Sequence, residues 1–407
     1  MACTAFLSSL LPKLSPESRI LRDAESPHFQ SSMRRWSNYK LKVPFAIVQP
    51  ANENDVVHTV REAISASVPF SSISQNGIII DLSRYKGVTV DPANNLATVR
   101  GGTRMKEFQA ALHPHKQFAA VGNGNTVGVI PYYLGGGIST YTPFVGYGSE
   151  NIVAAKLINS NGELVEVSEK QDPELFWGLC GAGQFLGLVT ELTIKTKPYS
   201  LLGNEDGQRI CGTYIFTMQS FDAIYVALEA IMESTEYLST GHIMIPLVDV
   251  GPLQQMSIPS TFDKHSDHLD WVCAEGDFKR FNQAGLASWS TRNFKRLAEL
   301  HSELVENCPD AARSGYTVEW HTPCRAKREL KTSFGNENVE YWLNILSWYT
   351  DSANHEFGTE EEAFVSYTNT TREDPIEYRY KGIGTVDRLR SLKRRVDPTG
   401  IFTRELL

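Results

Sequence analysis

Gly122-Asn123-Gly124-Asn125-Thr126-Val127-Gly128, Leu134-Gly135-Gly136-Gly137, and Gly181-Ala182-Gly183-Gln184-Phe185-Leu186-Gly187-Leu188-Val189-Thr190 are three glycine clusters inside one α/β rhythm. Glycine lets backbone approach a ligand closely, and successive peptide N–H groups in such loops form concavities suited to phosphate. Any one cluster alone reads more readily as loop punctuation; three in one domain point to a dinucleotide. The spacing Gly181-x-Gly183-x-x-x-Gly187 echoes the Rossmann fingerprint, which should open a helix early in a βαβ unit. Here it lies late and runs straight into a strand, so a Rossmann domain is excluded.

Outward from these loops, residues 45–48 and 77–82 read as buried strands, with a helix between them. Asn52 is placed to cap that helix, and Val56, Val57, Val60, Ala63 and Ile64 form its apolar stripe. Residues 88–90 and 96–99 flank a Pro-Asn turn, and Thr103 is expected to cap a second helix carrying Met105, Phe108 and Leu112. Residues 152–158 and 164–167 flank Asn161-Gly162, a strong hairpin signal, and 187–196 alternates as a strand. Past residue 200 the pattern changes. Strands are expected at 213–218, 242–248 and 316–320, with helices at 221–237 and 290–305 and a final helix over 386–395. This is an α+β layout with an antiparallel second sheet.

The chain has 407 residues, 41% of them hydrophobic and 10% aromatic, which excludes a disordered class. A net charge of −8, from 39 basic and 47 acidic residues, argues against nucleic acid as a partner. The basic run Lys393-Arg394-Arg395 beside Asp397 reads as a solvated helix end. No apolar run reaches the roughly 18–20 residues of a membrane span. The N-terminal apolar patch lacks a preceding basic residue and a clear cleavage site, so a cytoplasmic location is expected, with secretion the minor reading. Six cysteines without CxxC spacing read as free thiols and not as a metal site.

Together, Val43-Pro44-Phe45-Ala46-Ile47-Val48-Gln49-Pro50, Ile80-Asp81-Leu82-Ser83, the three glycine clusters and Pro173-Glu174-Leu175-Phe176-Trp177 resemble the FAD-binding domain of the vanillyl-alcohol-oxidase / p-cresol-methylhydroxylase (PCMH-type) family. Lys393-Arg394-Arg395-Val396-Asp397-Pro398-Thr399-Gly400-Ile401-Phe402 resembles the tail of its berberine-bridge-enzyme-like branch, common among fungal secondary-metabolite oxidases. The resemblance implies an α+β chain: an N-terminal segment (1–41), a two-subdomain FAD-binding domain (42–200), an antiparallel-sheet substrate domain (201–360) and a C-terminal segment (361–407) returning to the FAD domain. It further implies FAD along Gly122, Asn123, Thr126 and Gly128, with Gly135, Gly136 and Gly137 at the flavin and ribityl chain. Gly148, Asn151 and Val153 match the segment that wraps the cofactor, Gly187 and Val189 the strand near the adenine. Tyr367-Thr368-Asn369 resembles an element that the second domain presents to the flavin; Asn369 also opens a glycosylation sequon.

The departures are informative. The family's Gly-Gly-Gly-His-Ser-type loop, which clamps the pyrophosphate and often supplies a covalent His, is missing between Val68 and Ile78; no His lies between His58 and His113. The branch's second anchor, a Cys in the Gly122 loop, is replaced in the region of Gly124 and Asn125. FAD is therefore expected to be held non-covalently. The expected reaction is oxidation of a small organic substrate by hydride transfer to flavin, with oxygen as second oxidant. Tyr367 is the first choice of base, with Tyr132, Tyr133, Glu319 and His321 as further candidates. The competing readings are a flavin-independent cyclase or binding scaffold, and an inactive loop-deleted family member. Oligomeric state is not legible.

Overall fold

The computed structural model describes residues 2–39, 41–70, 77–214, 216, 218–233, 240–244, 255–286, 288, 290–321, 332–335, 339, 341–355, 376, 380 and 382–402. Near the N-terminus, strand Ala46–Gln49 pairs antiparallel with Arg19–Leu21 and parallel with Ile78–Ile80. The crossover between the parallel pair carries helix Glu53–Ser65, whose first turn Asn52 caps by accepting the Asp55 N–H at 3.0 Å. Val56, Val57 and Val60 of this helix pack against Tyr85 and Ile158, while Ala63 joins Phe6, Ala46 and Val48. The helix thus lies between two apolar layers. Asp55 ties down the preceding segment, accepting from Ser15 N–H at 2.8 Å and from the hydroxyls of Ser15 at 2.6 Å and Ser18 at 2.8 Å. Burial pushes its carboxyl up, but these donors outweigh burial and hold it below the usual range.

A five-stranded antiparallel sheet follows, in the order Val88–Asp91, Leu96–Arg100, Leu188–Lys195, Ile152–Ile158, Leu164–Ser168. One face carries the main core with helices Met105–Leu112, Val129–Leu134 and Pro173–Ala182. The Asn161-Gly162 hairpin forms, with Gly162 at φ 75° and Ile158 opposite Leu164. The Thr103 cap does not form: Arg104 takes the N-cap position, because the Thr103 hydroxyl both donates to the Gly87 carbonyl at 3.1 Å and accepts from the Gly87 N–H at 3.0 Å.

Beyond residue 200, strands Thr240–Met244, Gly315–His321, Tyr341–Tyr349 and Phe278–Leu286 form an antiparallel sheet in that order. Gln208–Tyr214 and Gln255–Thr261 make a separate ribbon. Helices Phe221–Glu233 and Thr291–Asn307 cover one face of the four-stranded sheet through Phe221, Phe294, Leu297, Val318, Trp320, Tyr341 and Leu343. Strand alternation sends Glu319 and Trp342 to the opposite face, where Trp342 meets Tyr147 and Ile138 of the glycine-loop region.

Helix Thr385–Val396 packs back on Pro173–Ala182, with Leu392 against Gly178 and Arg388 forking onto Glu174 at 2.8 and 2.7 Å. Here one expectation is corrected. Arg394 and Arg395 are exposed, but Lys393 shares the helix face of Leu389 and Leu392 and is buried, donating to the Phe185 carbonyl at 2.7 Å and to Asp397 at 2.5 Å. Among the described residues no helix is long and apolar enough to cross a membrane.

Candidate active site

The site begins where helix Val129–Leu134 ends. Gly135 and Gly136 N–H groups close that helix on the Pro131 and Tyr133 carbonyls, and the turn then folds against 147–149: Gly148 N–H donates to Gly137 O and Ser149 N–H to Gly136 O, both at 2.8 Å. The contact requires glycine, since a Cβ on Gly137 (φ 75°) would stand 2.8 Å from the Gly148 Cα. The N–H groups of Gly137 and Ile138 have no partner among the described residues, leaving two adjacent donors at the turn.

Other glycines serve protein packing. A Cβ on Gly181 (φ 137°) would lie 2.4 Å from the Phe334 backbone nitrogen, and one on Gly136 (φ 110°) 2.2 Å from the Phe334 ring. The 332–335 segment is seated there by Ser333, whose N–H donates to Cys180 O at 3.1 Å and whose hydroxyl donates to Gly178 O at 3.1 Å. Gly181→Ala is therefore expected to lower stability by about 1–3 kcal/mol through overpacking against backbone, read as a lower urea midpoint.

The remaining expected cofactor residues are scattered in role. Gly122 O accepts from Ser266 Oγ at 3.1 Å and lies under the Tyr132 ring; Asn123 and Gly128 are half-buried and Thr126 is exposed. Asn151 is buried and spends its amide on the Val145 and Tyr147 carbonyls, at 2.9 and 2.8 Å. Val153 is half-buried, Val189 belongs to the main core, and Gly187 makes room for Leu157. Tyr367 and Asn369 lie outside the described residues, as do 71–76 in the shortened connection.

Of the candidate bases, Tyr132 and Tyr133 are occupied. Tyr132 donates to Ile138 O and Tyr133 to Ala120 O, both at 2.8 Å, and burial drives both phenols far above their ordinary range. Neither is placed to take a proton. Glu319 differs: it is 5% exposed, and its Oε1 has no hydrogen-bond partner among the described residues. Two more unpartnered buried atoms lie in the same region, Trp342 Nε1 on the adjacent strand and Ser149 Oγ beside Gly136. A buried polar atom without a partner destabilises by about 1–3 kcal/mol. Three around one junction, with the two open N–H groups, make it a place for the polar groups of a ligand. His321 ends the Glu319 strand. Trp342, Phe334 and Ser149 carried no sequence signal, because a polar atom becomes notable only when the fold denies it a partner.

Comparison with known proteins bears on the cofactor and on the fold. Residues 44–168 match the FAD binding domain family. The FAD-linked oxidoreductase hasG of Aspergillus fumigatus is 26% identical across 97% of both chains. The chain is thus similar along its length to FAD-linked oxidoreductases, and residues 44–168 carry the match to the FAD binding domain. Solved structures show the same fold at low identity: Physcomitrella patens BBE-like 1 superposes with a TM-score of 0.79 at 12% identity over 99% of each chain. Berberine bridge enzyme from Eschscholzia californica gives 0.78 at 14% identity over 98% of each. The hasG alignment runs to 457 positions against 407 residues here, so at least 50 of its positions have no counterpart in this chain.

Proposed function

We propose that this oxidoreductase oxidises a small organic, secondary-metabolite-type substrate by hydride transfer to non-covalently held FAD, with oxygen as the second oxidant. One observation carries the reading: the buried Glu319 carboxylate, with Oε1 unpartnered, on the sheet face that meets the glycine turn. FAD, when bound, supplies the two-electron acceptor. The chain's own groups would do the rest: Gly137 and Ile138 N–H groups and Ser149 Oγ would hold the cofactor, and Glu319 would receive the proton of the substrate's hydroxyl or amine. Packing of Tyr147, Phe334 and Trp342 around the junction keeps water away. A cytoplasmic setting is part of the proposal, supported by five free cysteines among the described residues.

The visible spectrum of the purified protein before and after acid precipitation tests the reading. The expected result is a flavin spectrum that moves wholly to the supernatant. Colour kept in the precipitate overturns non-covalent binding and points to Cys273, whose Sγ lies 3.5 Å from where a Cβ on Gly124 would stand. A folded, colourless protein that takes up no added FAD overturns the redox reading.

A further inference from the structure

We infer that Trp342 is a substrate-hydroxyl-binding residue acting jointly with Glu319, so that the preferred substrate is an alcohol. The inference rests on the oxidation proposed above. Glu319 and Trp342 are direct partners in the register of strands Gly315–His321 and Tyr341–Tyr349, which puts their side chains on one face with Cβ atoms about 4.5–5.5 Å apart. Trp342 is fully buried and Glu319 nearly so, yet neither the indole Nε1 nor the carboxylate Oε1 has a partner among the described residues, and they do not bond each other. An indole N–H, a donor only, and a carboxylate oxygen, an acceptor, are therefore both open on one face of the sheet, on directly paired residues.

A hydroxyl oxygen satisfies both at once, donating its proton to Glu319 and accepting from Trp342. An ammonium cannot, because it has no lone pair for the indole. In the oxidation the O–H proton passes to Glu319, the C–H electron pair leaves as hydride to FAD, and the C=O bond forms. Trp342 donates to the same oxygen throughout and holds it in place as negative charge develops. The flat rings beside the pair, Phe334 at 6.0 Å and 23° from Trp342 and Tyr147 at 5.0 Å from Phe334, suit an aromatic framework.

Benzyl alcohol and toluene, which differ by the hydroxyl alone, are the probes, titrated calorimetrically into purified holoprotein and its Trp342→Phe variant. Wild type is expected to bind the alcohol at least about tenfold more tightly, and Trp342→Phe to cut that preference about five- to tenfold with an unchanged flavin spectrum. Equal or absent binding of the two probes by wild type overturns the inference, even if the variant fails to fold. A preference that survives in Trp342→Phe also overturns it. A colourless protein that still tells the probes apart refutes the flavin reading and leaves the pair standing; a yellow one that does not refutes the pair alone.

Discussion

Lys393→Met is expected to destabilise the protein by about 3–5 kcal/mol, read as a large drop in the urea midpoint. The Asp397 side chain is fully buried and that of Lys393 is 8% exposed, so the substitution strands a carboxylate in the interior. The Ile401 and Phe402 N–H groups still donate to Asp397, at 2.8 and 3.0 Å, but leave its charge uncompensated. Adding Asp397→Asn should recover part of the loss, since it removes the charge and keeps an acceptor oxygen for one of those two N–H groups. A double variant no more stable than the single one would show that packing of the Lys393 stem, not its charge, matters. The damage should also reach the site. Lys393 anchors Phe185 just past helix Pro173–Ala182, and that helix seats Ser333 and hence Phe334.

What the chain discloses by itself depends on how local the deciding physics is. The Asn52 cap and the Asn161-Gly162 turn involve neighbours a few residues apart, and both form. Thr103 is as good a capping residue as Asn52, yet its hydroxyl goes to Gly87, a competitor that only the folded strand pairing brings near. Strand Tyr341–Tyr349 hides its period of two because both faces are apolar: Tyr341 and Leu343 meet the helices while Trp342 meets Tyr147 and Phe334. The glycines are the sharpest case. Gly137 and Gly181 look alike in sequence, but the first admits its neighbour Gly148 and the second a segment about 150 residues away. Composition shows that backbone comes close there, not what approaches it. For the same reason Tyr132, Tyr133 and Glu319 are equal candidates until the fold gives two of them carbonyl partners and leaves the third open.

Glu319→Gln should accordingly slow anaerobic flavin reduction by an alcohol that reduces the wild type about 10²–10⁴-fold, with flavin content unchanged. Glutamine keeps the shape and an acceptor oxygen, so substrate still binds, but it cannot take the proton that must leave as the C=O bond forms. Tyr132→Phe provides the contrast. Its hydroxyl serves Ile138 O at 2.8 Å, so removing it should cost about 1 kcal/mol of stability and leave the reduction rate within a few-fold. Trp342→Phe should fall between them, because it loosens the grip on the oxygen without removing the acceptor. An unchanged rate in Glu319→Gln would return the base to Tyr367, and Tyr367→Phe would then have to show the large loss. If neither substitution slows reduction, the proton leaves through solvent, and the burial of Glu319 would need a purely structural explanation that its unpartnered Oε1 does not provide.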